Sequence, residues 1–149
     1  MNYIDYDEAC ELVEKVKTKQ LHKILVFMVG KEDCPACGHF NSEILPTIQG
    51  NISDKFGYPN TSTKRWIQRD ISEFIEIYGI KIGEGWNPLF PPMRSPTFYF
   101  YTTGSETFPM MRENVPPPDA LINEFVMQKR ILDGESFYDV YAQKIENNS

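Results

Sequence analysis

Apolar positions Ala9, Leu12, Val13 and Val16 recur at helical spacing behind Asp5 and Asp7, two acids suited to a capped start. The pattern predicts an amphipathic helix over Asp7–Lys19. The run from Lys23 to Val29 is short, continuous and rich in β-branched residues, which predicts a strand buried on both faces. Gly30 to Asp33 turns the chain. Cys34-Pro35 then opens a second helix, because proline at a first helical position forfeits no hydrogen bond, and Pro46 stops it after Leu45. Asn, Ser, Thr, Gly and Pro crowd Gly50 to Thr63, predicting a loop that leads to a strand near Lys64–Ile71 and a third helix over Ser72–Tyr78.

Lys81 to Arg94 carries two Gly and three Pro among Trp86, Leu89, Phe90 and Met93, an irregular stretch too apolar for an ordinary solvated loop. Thr97–Tyr101 and Glu106–Met110 flank Thr102-Thr103-Gly104-Ser105 and predict a β-hairpin, with Pro109 pushing its second strand to an edge. After Pro116-Pro117-Pro118, Asp119 is predicted to cap a helix through Lys129 whose Leu121, Ile122, Phe125 and Val126 form one face. Asp133–Ile145 predicts a terminal helix, and Glu146–Ser149 an end that frays.

Length and composition narrow this picture to one folded unit. A chain of 149 residues with 41% hydrophobic and 13% aromatic residues is too apolar for disorder, and no apolar run is long enough to cross a membrane. A net charge of -6, with the cations scattered, argues against nucleic acid as a partner. Met1 to Gln20 has no signal-peptide pattern, which predicts a cytoplasmic protein whose Asn51-Ile52-Ser53 and Asn60-Thr61-Ser62 sequons go unused.

The candidate chemistry is carried by Cys34-Pro35-Ala36-Cys37. Two cysteines separated by two residues at a helix start meet as a disulfide with little backbone movement. Cys34 has unpaired amides and the helix dipole to stabilise a thiolate, while Cys37 lies one turn inside; Cys34 is therefore the attacking and Cys37 the resolving residue. Lys31 favours that thiolate and Glu32 and Asp33 oppose it. A structural zinc site needs four ligands, and His39, Cys10 and His22 supply no second knuckle, so no metal is expected and the redox-active disulfide stands in place of a cofactor. Cys10 reads as a buried, inert thiol on the apolar side of the first helix.

The order strand, turn, Cys-Pro-Ala-Cys, helix resembles the thioredoxin superfamily over about Lys23 to Lys129. Three further features agree with that resemblance. Arg69-Asp70-Ile71 followed by Tyr78-Gly79-Ile80 is similar to the family's strand, third helix and Tyr-Gly-Ile stretch. Arg94-Ser95-Pro96-Thr97 looks like its cis-proline corner opposite the cysteines. Gly104 stands where the family turns between its last two strands. The resemblance implies an α/β three-layer fold, a central mixed sheet flanked by helices, with an insertion before the cis-proline and a C-terminal helical extension. It also implies a single domain over residues 1–149, with a core of about 21–130 and an extension over 131–149.

Departures set the chain apart from ordinary thioredoxins. Met28 stands in place of their buried Asp, Glu32-Asp33 in place of the Trp before the motif, and Pro35 is shared with glutaredoxins. The resemblance implies a protein-disulfide oxidoreductase acting through Cys34 and Cys37, supported by Pro35, Ala36 and Pro96. Ser95, Thr97, Trp86, Phe90 and Met93 are expected to contact protein thiol or disulfide substrates. The redox partner is expected to be a thioredoxin-reductase-like or sulfhydryl-oxidase-like protein. Alternatives are a component of an intracellular disulfide-forming relay of the kind large DNA viruses use, a glutaredoxin-like enzyme, and a non-catalytic adaptor that keeps the fold.

Overall fold

The first helix, α1 (Tyr6–Lys17), follows a short strand, β1 (Asn2–Tyr3), and starts where the side chain of Asp5 accepts a hydrogen bond of 2.8 Å from the Glu8 amide. Acids Asp7 and Glu8 occupy its first turn and Lys15 and Lys17 its last, each complementing the helix dipole. It ends two residues before the predicted Lys19. Lys19 takes a left-handed φ of 61°, and the Gln20 amide bonds back to the Lys15 carbonyl at 2.8 Å. The structure, a computed structural model, describes residues 2–30, 34–46, 57–59, 66–68, 71–81, 96–104, 110–113, 117–136 and 138–141, with the backbone alone at 57–59, 66–68, 110–113 and 119.

The predicted central strand is β2 (Ile24–Gly30), buried along its whole length. Its alternate residues feed two cores. Ile24, Val26 and Met28 face one, and Leu25, Phe27 and Val29 the other. Helix α2 (Pro35–His39) then widens into a π turn (Phe40–Ile44), where the Ser42 hydroxyl donates back to the Gly38 carbonyl at 2.9 Å.

Two expectations are corrected in the middle of the chain. Within the strand foreseen near Lys64–Ile71 the structure describes β4 (Trp66–Gln68), and the loop foreseen over Gly50–Thr63 contains its antiparallel partner, β3 (Gly57–Pro59), the two forming a small sheet of their own. The helix foreseen over Ser72–Tyr78 is a 3-10 turn (Ser72–Phe74) followed by β5 (Ile75–Lys81). Ile75 and Ile77 fall on one face and Tyr78 and Ile80 on the other, and all seven residues pair in parallel with β2. A short apolar run satisfies either period, and the open edge of β2 decides it. Tyr78 stacks on Phe27; burial, then the Glu76 carboxylate accepting its hydroxyl, push its phenol up to about 12. Because Tyr78-Gly79-Ile80 sits within β5, its match to a stretch after a third helix is corrected too. Residues 82–95 form the connection from β5 to the next strand and lie outside the described residues.

β6 (Thr97–Thr102) pairs antiparallel with β2 and with β7 (Met110–Glu113), giving the sheet order β1-β5-β2-β6-β7. An antiparallel partner for this strand at the sheet edge is as predicted; the described strand spans Met110–Glu113 and shares only Met110 with the expected Glu106–Met110, whose other residues lie outside the described residues. Gly104 turns at φ +95°, and a Cβ there would come within 3.2 Å of the Ile131 carbonyl. Gly104→Ala is therefore expected to cost about 1–2 kcal/mol, read by urea denaturation, and a loss below about 0.5 kcal/mol would contradict this account.

Helix α3 (Pro118–Leu132) starts with Pro118 as its first residue and no side-chain cap, so Asp119 is inside the helix rather than its cap. Gly134, at φ +109°, ends it. Leu121, Ile122 and Phe125 are buried as predicted. The same helix also buries Glu124, Gln128 and Lys129, which sequence periodicity did not indicate. Gln128 accepts from the Thr102 hydroxyl at 2.5 Å and donates to Tyr141 at 2.8 Å, and Lys129 pairs with Asp133 and lies over the Phe74 ring at 4.6 Å. Residues 138–141 form a helical turn inside the predicted terminal helix.

Helix α1 covers one face of the sheet, and α2 with α3 the other. This is a thioredoxin-like α/β three-layer arrangement. Among the described residues no helix is long and apolar enough to cross a membrane.

Candidate functional site: a disulfide at a helix start

β2 carries the chain to one end of the sheet, and four residues later Cys34 occupies the N-cap of α2, with Pro35 at the first helical position. The Cys34 and Cys37 Cα atoms stand 5.2 Å apart and their sulfurs are joined as a disulfide. The Cys37 amide, one of the helix's otherwise free N–H groups, donates to the Cys34 sulfur at 3.1 Å, while the Gly38 amide makes the first bond of the helix ladder to the Cys34 carbonyl at 3.1 Å.

The two cysteines are unequally buried. Cys34 is half-buried, whereas Cys37 is 6% exposed and packs with Met28, Phe40 and Phe98. Phe40 locks the helix down by meeting Phe98 edge-on, with ring centroids 4.9 Å apart. Pro35, Ala36, Gly38 and His39 are exposed around the disulfide. The pair is a CxxC disulfide of the kind a redox-active site requires, with the first cysteine half-buried and the second buried.

Pro96 is buried directly before Thr97, and Thr97 pairs with Val29. Pro96 thus stands at the end of β2 from which the chain runs on to Cys34. The Ser95–Pro96 peptide bond, expected to be cis, lies outside the described residues, as do Ser95, Trp86, Phe90 and Met93. Thr97 is 1% exposed and offers a substrate no open side chain in this oxidised state. Cys10 forms no disulfide and is partly buried against the core on the α1 face of the sheet, whereas Cys34 and Cys37 belong to the core on the opposite face. Among the described residues no group of three or more His, Cys, Asp or Glu is gathered as a metal site.

Beside the disulfide lies a cavity of about 190 Å³, walled by both cysteines and Asn41 from the helix, Met28 from β2, Lys81 from β5 and Tyr3 from β1. Asn41 donates from its amide nitrogen to the Tyr3 hydroxyl at 2.8 Å, and the Lys81 ammonium sits 5.3 Å from the centre of the Tyr3 ring. Sequence reasoning missed Tyr3, Asn41 and Lys81. Asn41 carried a legible signal, being four residues after Cys37 and hence on its helix face, whereas Tyr3 and Lys81 reach the site only through strand pairing. No protein-family model matches the chain, and no curated protein matches it.

Proposed function

We propose that the protein is a thiol-disulfide oxidoreductase of the thioredoxin superfamily that exchanges disulfides with protein substrates through Cys34 and Cys37. The observation that carries this reading is a disulfide at a helix start whose two cysteines are unequally buried. In the reduced protein, the Cys34 thiolate attacks one sulfur of a substrate disulfide. A mixed disulfide forms, and the first substrate thiolate leaves and takes up a proton. Cys37, deprotonated, then attacks the Cys34 sulfur, restores the internal disulfide and releases the second substrate thiol, so two electrons pass to the substrate. The Cys37 amide that now meets the Cys34 sulfur favours the thiolate in the reduced state.

Read in a cytoplasmic setting, the chain works as a reductant recharged by a thioredoxin-reductase-like partner. The reverse direction, with a sulfhydryl-oxidase-like partner, uses the same steps. Trp86, Phe90, Met93 and Ser95 complete the substrate face in this reading, since aromatic and Met side chains give adaptable area to an extended peptide. Trapping tests it. Cys37→Ser removes the resolving thiol and is expected to accumulate mixed disulfides with substrate proteins, seen as thiol-sensitive adducts on non-reducing gels and lost again in Cys34→Ser/Cys37→Ser. A Cys37→Ser protein that forms no adducts would overturn the enzymatic reading in favour of an adaptor.

A further inference from the structure

We propose that Lys81 and Tyr3 form a subsite for an acidic side chain of the substrate, so that protein disulfides with an Asp or Glu close in sequence to the reacting cysteine are exchanged fastest. This subsite serves the thiol-disulfide reading above and rests on it. Cys34, Cys37, Lys81 and Tyr3 all wall the one cavity, so a side chain that fills it beside the reacting sulfur meets both Lys81 and Tyr3.

The size of the cavity decides the class of occupant. Pockets that enclose a whole small-molecule ligand measure about 300–1,000 Å³, and this one, at about 190 Å³, is smaller and suits a single side chain. An extended segment advances about 3.3 Å per residue and turns alternate side chains to the same face. The side chain that enters beside a bound cysteine therefore comes from a residue one or two positions away.

The charge of the wall decides which side chain. Among its described residues Lys81 carries the only charge, and Met28 and Ile80 beside it are apolar, which strengthens an ion pair made there over one in open water. Lys81 is exposed, and among the described residues no carboxylate pairs with its ammonium, which instead sits 5.3 Å from the centre of the Tyr3 ring. Tyr3 is fixed in turn. Its backbone pairs with Gly79 of β5, and its hydroxyl accepts from the Asn41 amide nitrogen at 2.8 Å. Having accepted there, the hydroxyl keeps its own proton to donate. An ammonium and an O–H, both set in place before the substrate arrives, match a carboxylate at low ordering cost. Against a net charge of -6 this cation is a local feature: it selects where an acid sits beside the cysteine, not acidic proteins at large.

The test compares synthetic peptides closed by one disulfide and differing at a single position two residues from a cysteine, which is Glu, Gln or Lys. Each is reduced by excess reduced protein, quenched in acid and separated by chromatography. The Glu peptide is expected to react about threefold to fivefold faster than the Gln peptide at low ionic strength, with the ratio falling as salt is added. Lys81→Met should bring that ratio to one, Lys81→Arg should keep it, and Lys81→Glu should reverse it in favour of the Lys peptide. Tyr3→Phe, which removes the O–H, should reduce the ratio in part. Equal rates for the Glu and Gln peptides in the unaltered protein overturn the proposal. So does Lys81→Met slowing both peptides by the same factor, since Lys81 would then act on the Cys34 thiolate and not on the substrate. An unaltered protein that reduces none of the peptides would instead sink the thiol-disulfide reading, and this inference with it.

Discussion

Cys34→Ser is expected to abolish disulfide exchange, lowering the rate of dithiothreitol-driven reduction of a disulfide-bonded protein by at least about 10³-fold. A serine hydroxyl is not ionised at neutral pH and cannot form the mixed disulfide, so the attacking group disappears. The fold should survive the change for a specific reason. Cys34 is the N-cap of α2 and its sulfur accepts from the Cys37 amide at 3.1 Å. Serine is among the best residues for that role, so the cap persists while the chemistry is lost. Cys10→Ser, at a thiol outside the site, should leave the rate unchanged. A Cys34→Ser protein within tenfold of the original rate would show that this sulfur is not the nucleophile.

The largest expected effect on stability is that of Phe40→Ala. Phe40 is fully buried, sits in the π turn that continues α2, and packs edge-on against Phe98 of β6. Removing a buried ring of this kind costs about 3–5 kcal/mol, because the transfer loss is joined by a cavity that the sheet cannot close. For a chain of this length that corresponds to a fall of roughly 10 °C in thermal midpoint. Phe40 is also the contact that seats the cysteine-bearing helix on the sheet, so the variant's disulfide should become more accessible to a small reductant. Tyr138→Ala, at a residue 80% exposed, is the control and should move the midpoint by less than about 0.5 kcal/mol equivalent. A Phe40→Ala protein as stable as that control would mean that the π turn repacks without it.

Much of the frame was legible in the chain because local physics and burial agreed there. The short, unbroken and β-branched apolar run of β2, bounded by Gly30, reads as a strand covered on both faces, and it is. Asp5 and the spacing of Ala9, Val13 and Val16 specify α1, and Cys34-Pro35 specifies where α2 starts. Gly104 marks the hairpin turn and Pro109 the edge strand that follows. The candidate site was legible at its two cysteines for the same reason: a short i, i+3 spacing at a helix start brings them together without help from the rest of the fold.

Other features depended on partners distant in sequence. Ile75 to Lys81 suits a helix or a strand, and only the free edge of β2 makes it β5. Trp66–Gln68 is a strand because Gly57–Pro59 lies beside it, not because the central sheet needs it. Glu124 and Gln128 are buried on α3 because Thr102 and Tyr141 are there to bond with them, a match no periodicity encodes. The cavity beside the disulfide is of the same kind. Cys34-Pro35-Ala36-Cys37 determined that a reactive pair would sit at a helix start. That Asn41 would meet Tyr3, 38 residues earlier, in the wall of a cavity shared with both cysteines was decided only when β1, β5 and the helix closed around the same space.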